Sequence, residues 1–297
     1  MSQDKMQQQR FELKYKISEE TALRVRDFVS SYLIPDEFAE GKPNFSYPVH
    51  SLYLDSDDMR LYWDTINGNK NRFKLRLRYY DDNPDSPIFF EIKRRMNNCI
   101  LKQRGGVRRN AVGWLLAGHI PEASHLVSQE TKPMVALQRF CQLMAEMGAS
   151  PKGHIFYMRE AWMGLYDNSV RVTLDREVGC DPHFSMEVST RVENPAFAFR
   201  PQVILELKFT NRFPVWFEDL VRTCNLVLTG AAKYVDGVFA CGETLFYGRR
   251  PTLVQEMQAT EAPEVSRDDS LTLDPAADAY VQTAEADILI KEELNHG

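Results

Sequence analysis

Cysteine is scarce and scattered. The 297-residue chain holds 5 of them, Cys99, Cys141, Cys180, Cys224 and Cys241, an odd number with no C-x-x-C pair. That excludes a disulfide framework and a cysteine-based zinc site, and it fits reduced thiols in the cytoplasm. The 6 histidines show no H-x-x-x-H spacing, so a histidine metal centre has no support. No apolar run approaches the roughly 20 residues of a membrane helix. The opening stretch, MSQDKMQQQR, lacks the apolar core of a secretory signal. There is no G-x-x-x-x-G-K-[ST] phosphate loop, and Gly105-Gly106 reads as a turn. Neither an internal repeat nor a Ser/His/Asp or Cys/His constellation is evident. The expected compartment is the cytoplasm.

What is present is charge, unevenly placed. Net charge is −6, but residues 251–297 carry 11 acidic residues against Arg267 and Lys291, a tail of −9. The remaining 34 basic and 31 acidic residues leave a body, 1–250, of +3. The tail is polar and rich in Pro and Ala, and reads as disordered with a short helix at 277–294. Apolar residues (43%) and aromatics (11%) suffice for a sizeable core in the body.

The body alternates with period two in many short segments. RFELKYK (10–16) aligns Arg10, Glu12, Lys14 and Lys16 against Phe11, Leu13 and Tyr15. FKLRLR (73–78) aligns Lys74, Arg76 and Arg78; FEIK (90–93) aligns Glu91 and Lys93; Lys102 shares a face with Arg104. Tyr157 aligns with Arg159; Arg171, Thr173 and Asp175 align; VILELKF (203–209) sets Glu206 and Lys208 against Leu205, Leu207 and Phe209. HSLYLD (50–55) aligns Ser51, Tyr53 and Asp55. Successive strand side chains point to opposite faces, so each segment has one charged and one apolar face. Helical spacing is expected from Ser18, a capping residue, to about Leu33, over 134–147 up to Gly148, and over 215–229 up to Gly230. Strands outnumber helices and run mostly in succession, which favours an antiparallel α+β fold. Asp57-Asp58 reads as a turn or helix start, and the Trp residues as core.

A lone amphipathic strand usually buries its apolar face and exposes its charged one. The set of strands strains that reading, because Lys and Arg recur on one face of at least six of them. Amphipathic helices match the apolar faces and can coat the outside. The expectation is a closed antiparallel eight-stranded β-barrel tunnel with a charged lumen and helices packed outside. An uncompensated buried cation costs several kcal/mol. Glu12, Glu91 and Glu206 are too few to neutralise the wall, so a phosphate-rich ligand is implied, with Arg supplying forked donors and Lys point charges.

The ordered segments FELKY (11–15), SLYLDS (51–56), NRFKLRLRYY (71–80), FFEIKRR (89–95), LKQR (101–104), YMREAW (157–162), RVTLD (171–175), LELKF (205–209) and AAKY (231–234) resemble the VTC domain. This is the polyphosphate polymerase domain of the triphosphate tunnel metalloenzymes. The resemblance spans roughly residues 10–245 and implies transfer of the ATP γ-phosphate to a polyphosphate chain end with Mn²⁺ or Mg²⁺. It implies catalytic roles for Lys14, Arg76, Arg78, Lys93, Lys102, Arg159, Lys208 and Lys233. Tyr157, Arg171 and Arg104 are the further substrate-binding candidates. Glu206 is the implied metal ligand, with Glu12 and Glu91 as candidate helpers. The E-x-E-x-K signature of hydrolytic relatives stands here as Arg10-Phe11-Glu12-Leu13-Lys14, which favours the polymerase branch. The SPX domain and membrane helices of eukaryotic members are not seen in these residues.

Three functions follow: a polyphosphate polymerase; a tripolyphosphate or nucleoside triphosphate hydrolase; and a non-catalytic polyphosphate or nucleotide sensor. ATP and inorganic polyphosphate are the expected partners. Nucleic acid is not expected, because the aromatics sit opposite the basic residues and offer no stacking platform. The C-terminal tail is the candidate contact for a membrane-protein or regulatory partner.

Overall fold

The computed structural model describes residues 10–96, 99–166, 169–210 and 212–248. The expected acidic tail, its helix at 277–294 and its partner role lie outside the described residues. Elements run in the order β1 (Arg10–Ile17), α1 (Glu19–Val29), β2 (Ile34–Pro35), β3 (Ser46–Asp55), α2 (Arg60–Ile66), β4 (Asn71–Tyr79), β5 (Ile88–Met96), β6 (Cys99–Val107), α3 (Val112–Leu116) and α4 (Thr131–Met147). Then follow β7 (Ser150–Met163), β8 (Val170–Pro182), β9 (Ala196–Phe197), β10 (Val203–Thr210), α5 (Val215–Thr223) and α6 (Lys233–Cys241).

The strands form one antiparallel sheet, ordered β2-β7-β3-β4-β5-β6-β1-β10-β8-β9. β7 also pairs with β8, from Gly153↔Pro182 to Met163↔Arg171. Each of the eight long strands therefore has two ladder neighbours, but β1 meets β6 at a single pair, Arg10↔Ile100. The fold is α+β, as the alternation implies.

Helices cover the apolar face. α4 packs Leu137, Phe140 and Leu143 on Leu75, Leu77, Phe90 and Ile92 of β4 and β5. α1 and α5 pack Val25, Val29, Phe217 and Leu220 on Val172, Leu174, Leu205 and Leu207. Each buried aliphatic or Phe side chain is worth about 1.5–3 kcal/mol of transfer free energy, so the helix–sheet contacts set which face is covered. α1 starts where expected: the Ser18 hydroxyl accepts from the Thr21 backbone N–H at 3.1 Å. α6 packs instead against Tyr53, Ile155 and Tyr157, at one end of the opposite, charged face.

Several local expectations are corrected. Gly105-Gly106 is no turn; both lie within β6. A Cβ on Gly105 would sit 2.7 Å from the Pro133 carbonyl oxygen, and one on Gly106 2.9 Å from Val127. The glycines let the start of α4 and its preceding loop approach the strand. The helix expected over 215–229 ends at Thr223, because Asn225 turns left-handed (φ 48°) and Leu228 bridges to Tyr15. Of the Trp residues, Trp162 is core, whereas Trp114 and Trp63 are exposed. Asp57-Asp58 falls in the turn before α2, as expected. The buried Asp55 carboxylate builds that corner, accepting from the N–H groups of Ser56, Leu61 and Tyr62 and from the Tyr234 hydroxyl.

Candidate functional site

Glu206 is the hub of one half of the charged face. On β10 it stands opposite Lys14 of β1 and Thr173 of β8. Its Oε1 is 2.7 Å from Lys233 Nζ and 3.6 Å from Lys14 Nζ; its Oε2 is 2.6 Å from Lys208 Nζ and 3.5 Å from Arg159. Burial raises its pKa, but Lys208, Lys233, Lys14 and Arg159 outweigh burial and hold the carboxyl well below the usual range. Asp175 of β8 takes a forked pair from Arg159, both at 2.7 Å, and a 2.7 Å contact from Lys233. Lys233 is the first residue of α6, so a helix start, not a strand, delivers it. Burial would lower its pKa, but Asp175 and Glu206 win and raise it. Lys208 goes the other way: burial outweighs Glu206 and lowers the ammonium to about 8. Lys14 donates to the Ala231 carbonyl at 2.9 Å and contacts Glu12 at 3.1 Å.

The other half lies on β4, β5 and β6. Arg76 donates to Glu91 at 2.8 Å and to the Tyr53 hydroxyl at 3.1 Å. Arg78 donates to Ser51 and, at 3.0 Å, to the Tyr157 hydroxyl. Lys102 contacts Glu91 at 2.5 Å, and Arg104 lies 4.0 Å from it over the Phe89 ring. Lys93 reaches across to Glu12 at 3.1 Å. Burial raises the pKa of Glu91, but Arg76 and Lys102 hold it far below the usual carboxylate range. Burial also raises Tyr53, yet Arg76, Lys74 and Arg78 pull its phenol down to about 7.

The structure thus brings Lys14, Arg76, Arg78, Lys93, Lys102, Arg104, Arg159, Lys208, Lys233, Tyr157 and Glu206 onto one face. Arg171 is on the same face, but its guanidinium is engaged by Asp36 and faces the Tyr47 hydroxyl. Sequence reasoning assigned no role to Asp175, Tyr53 or Ser51. The alternation did align Asp175 with the candidate Arg171, whereas Ser51 and Tyr53 were aligned only with each other and with Asp55. Asp36 had no such signal, because it lies just beyond the two-residue β2.

A metal ion must fit this donor set. Among the described residues no group of three or more His, Cys, Asp and Glu side chains could hold one. Glu206 and Glu12 share Lys14, whose Nζ is 3.6 Å from one and 3.1 Å from the other. Such a pair fits a hard cation that brings its own phosphate oxygens and waters, the usual manner of Mg²⁺, and does not fit a caged ion.

An antiparallel α+β fold with one face covered by helices and the other set with interleaved Lys, Arg and carboxylates defines the class of protein, a helix-backed sheet with a charged face. Within it the VTC domain family matches residues 9–241, and the chain belongs to that family. Vacuolar transporter chaperone complex subunit 4 of Schizosaccharomyces pombe is 24% identical over an alignment of 241 residues that covers 68% of this chain and 32% of that protein. The match therefore spans under a third of that relative's length. Among solved structures, a Bacillus halodurans protein assigned as an adenylate cyclase aligns with TM-score 0.41 and 12% identity over 75% of this chain and 94% of its own. A Pyrococcus horikoshii protein aligns with TM-score 0.40 and 11% identity over 77% and 98%. No helix among the described residues is long and apolar enough to cross a membrane.

Proposed function

We propose that this protein is a polyphosphate polymerase-type phosphotransferase, moving the ATP γ-phosphate to the end of a polyphosphate chain. The observation that carries the reading is the convergence of Lys14, Arg159, Lys208 and Lys233 on one buried carboxylate, Glu206. Asp175 and Glu12 share those cations, yet across the whole face Lys14, Lys74, Arg76, Arg78, Lys93, Lys102, Arg104, Arg159, Lys208 and Lys233 outnumber Glu12, Glu91, Asp175 and Glu206, and a phosphate chain supplies the missing negative charge. In this reading the eight long strands act as a tunnel, supported by the β7–β8 ladder that joins the ends of the sheet order.

Phosphoryl transfer asks the protein for in-line positioning and for neutralisation of charge on the transferred group. Arg76, Arg78 and Arg159 supply forked donors for phosphate oxygens; Lys14, Lys93, Lys102, Lys208 and Lys233 supply point charges. The Tyr157 hydroxyl and Arg104 complete the lining, with Arg171 reached only if it leaves Asp36. Lys208, lowered to about 8 in the free protein, is held charged by an arriving phosphate, so binding near pH 8 takes up part of a proton. Glu206, with Glu12 beside it, would hold Mn²⁺ or Mg²⁺ delivered with the phosphates. Bound there, the ion would supply further charge neutralisation. No side-chain nucleophile is needed, since the acceptor phosphate attacks.

The relative's membership of a complex extends the reading to a partner protein for this chain. The free thiols of Cys141, Cys180, Cys224 and Cys241 support a cytoplasmic setting. The test is incubation of purified protein with ATP and Mn²⁺ or Mg²⁺, followed by gel and ³¹P analysis. Polymer with chain-internal phosphate signals is the expected product. Orthophosphate alone would assign a hydrolase, and intact ATP with retained binding would assign a sensor.

A further inference from the structure

The ladder register places three lysines side by side. Lys74 of β4 stands opposite Lys93 of β5, and Lys93 stands opposite Lys102 of β6. Like charges directly opposite on paired strands are destabilising. Two members of the row have relief, Lys93 from Glu12 and Lys102 from Glu91. Among the described residues Lys74 makes no ion pair and has only the Tyr53 phenol to favour its charge. Foremost among the groups that act on it is burial, which lowers its ammonium to about 8, and then Tyr53, Lys14, Lys93 and Arg72. The next rung along the strands is different. There Arg76 stands opposite Glu91, and Glu91 opposite Arg104, so a carboxylate separates the cations.

Lys74 lies four residues from Arg78 on the same face, about 13 Å along the strand at the usual rise per residue. A triphosphate seated on Arg78 and Arg159 stops short of it. A longer chain running along β4 would meet Arg78, Arg76 and then the lysine row in succession. We propose that the Lys74–Lys93–Lys102 row is a separate subsite for the distal part of a linear polyphosphate chain, and that Lys74 makes the site prefer chains longer than triphosphate. The proposal rests on the phosphate-binding reading above and adds to it a chain-length specificity and the residue that sets it. A cation with no carboxylate partner among the described residues is the feature a purely structural row would lack. In a wall designed only to fold, a neutral residue at position 74 would remove the like-charge contact at no loss.

The test uses the full-length chain and two probes, tripolyphosphate and a long-chain inorganic polyphosphate. Lys74→Gln is expected to weaken the long chain about tenfold while moving tripolyphosphate by less than about twofold, the loss of one charge-assisted contact made only by the longer ligand. Lys74→Arg should restore the long-chain preference. The ligand-free Lys74→Gln protein should melt no lower than wild type, because the change removes repulsion. Equal weakening of both probes, or of neither, overturns the subsite while leaving the general reading in place. Failure of the wild type to bind either probe overturns both.

Discussion

The two halves of the charged face solve the same problem differently. Around Glu206, the cations Lys14, Arg159, Lys208 and Lys233 are interleaved with Glu12, Asp175 and Glu206 itself, and their side chains are well enclosed, Lys233 at 9% and Lys208 at 13% exposure. On β4–β6, Lys74, Arg76, Arg78, Lys93, Lys102 and Arg104 share one carboxylate of their own strands, Glu91; Arg76 and Arg78 are enclosed as well, but the β6 edge is open, Lys102 at 40% and Arg104 at 50%. Burial explains the difference. An enclosed charge must be matched within the protein, because breaking such a pair leaves an uncompensated ion. A partly solvated charge can wait for its ligand, since water and salt screen it. In the proposed function the Glu206 half stands by itself, and the open β6 edge of the other half receives the anion.

The largest effect is expected at the hub. Glu206→Gln keeps the size and removes the charge that four cations share. Losing one partner of a buried ionic cluster costs about 3–5 kcal/mol, or a melting temperature lower by about 10 °C for a domain of this size. Thermal melting checks it, and added tripolyphosphate should recover much of the loss by supplying the missing negative charge. An unchanged melting temperature would show that the cations of the enclosed half do not depend on Glu206 for their balance.

Next comes the open half. Arg76→Ala combined with Arg78→Ala should leave a folded protein, because Glu91 keeps Lys102, and should abolish the thermal shift given by tripolyphosphate. A normal shift in this double variant would move the binding site away from β4–β6.

A smaller effect is expected from pH. Lys208 and Lys74 have folded-state values lowered to about 8 from an ordinary 10.5, so both lose charge as pH rises through 8. Tripolyphosphate affinity, measured by calorimetry, should fall between pH 7 and pH 9. Stability should respond with the opposite sign. Between about pH 8 and 10.5 the unfolded lysines hold protons that the folded ones have released, so unfolding free energy from these two groups rises with pH. Tripolyphosphate affinity that stays flat across this window would contradict the lowered value of Lys208, and long-chain polyphosphate affinity that falls no further than that of tripolyphosphate would contradict that of Lys74.

The smallest effect concerns the covered face. Gly105→Ala places a Cβ 2.7 Å from the Pro133 carbonyl oxygen, and should destabilise by about 1–3 kcal/mol, the usual cost of overpacking. Denaturant unfolding checks it, with phosphate binding unchanged.

Much of this was legible because a strand's period is so short. Lys74, Arg76 and Arg78 on one side and Leu75 and Leu77 on the other leave one choice once α4 is recognised, and its apolar spacing over 134–147 lies within the observed Thr131–Met147. What escaped depended on tertiary approach. Lys233 follows strand-like motifs in the sequence but enters from the start of α6, whose packing on Tyr53 and Ile155 is set by residues far away in the chain. Gly105-Gly106 looks like a turn until the segment that crowds it is known. Asp175 was visible as a neighbour of Arg171 but gained meaning only when β7 brought Arg159 to it. Arg171 illustrates the converse, a cation in the right alignment whose partner, Asp36, comes from a loop that no periodicity reports.

In the proposed function both halves of the face bind chains of phosphate through charge. Titration of the full-length protein with tripolyphosphate at low and at high ionic strength puts that to the test. Saturable binding of one chain per protein is expected at low salt. Its affinity should fall as salt rises while a part persists, because the enclosed cations are screened less than the open ones. Binding that is absent at low salt, or no stronger than that of orthophosphate, would show that this face is not a phosphate-chain site.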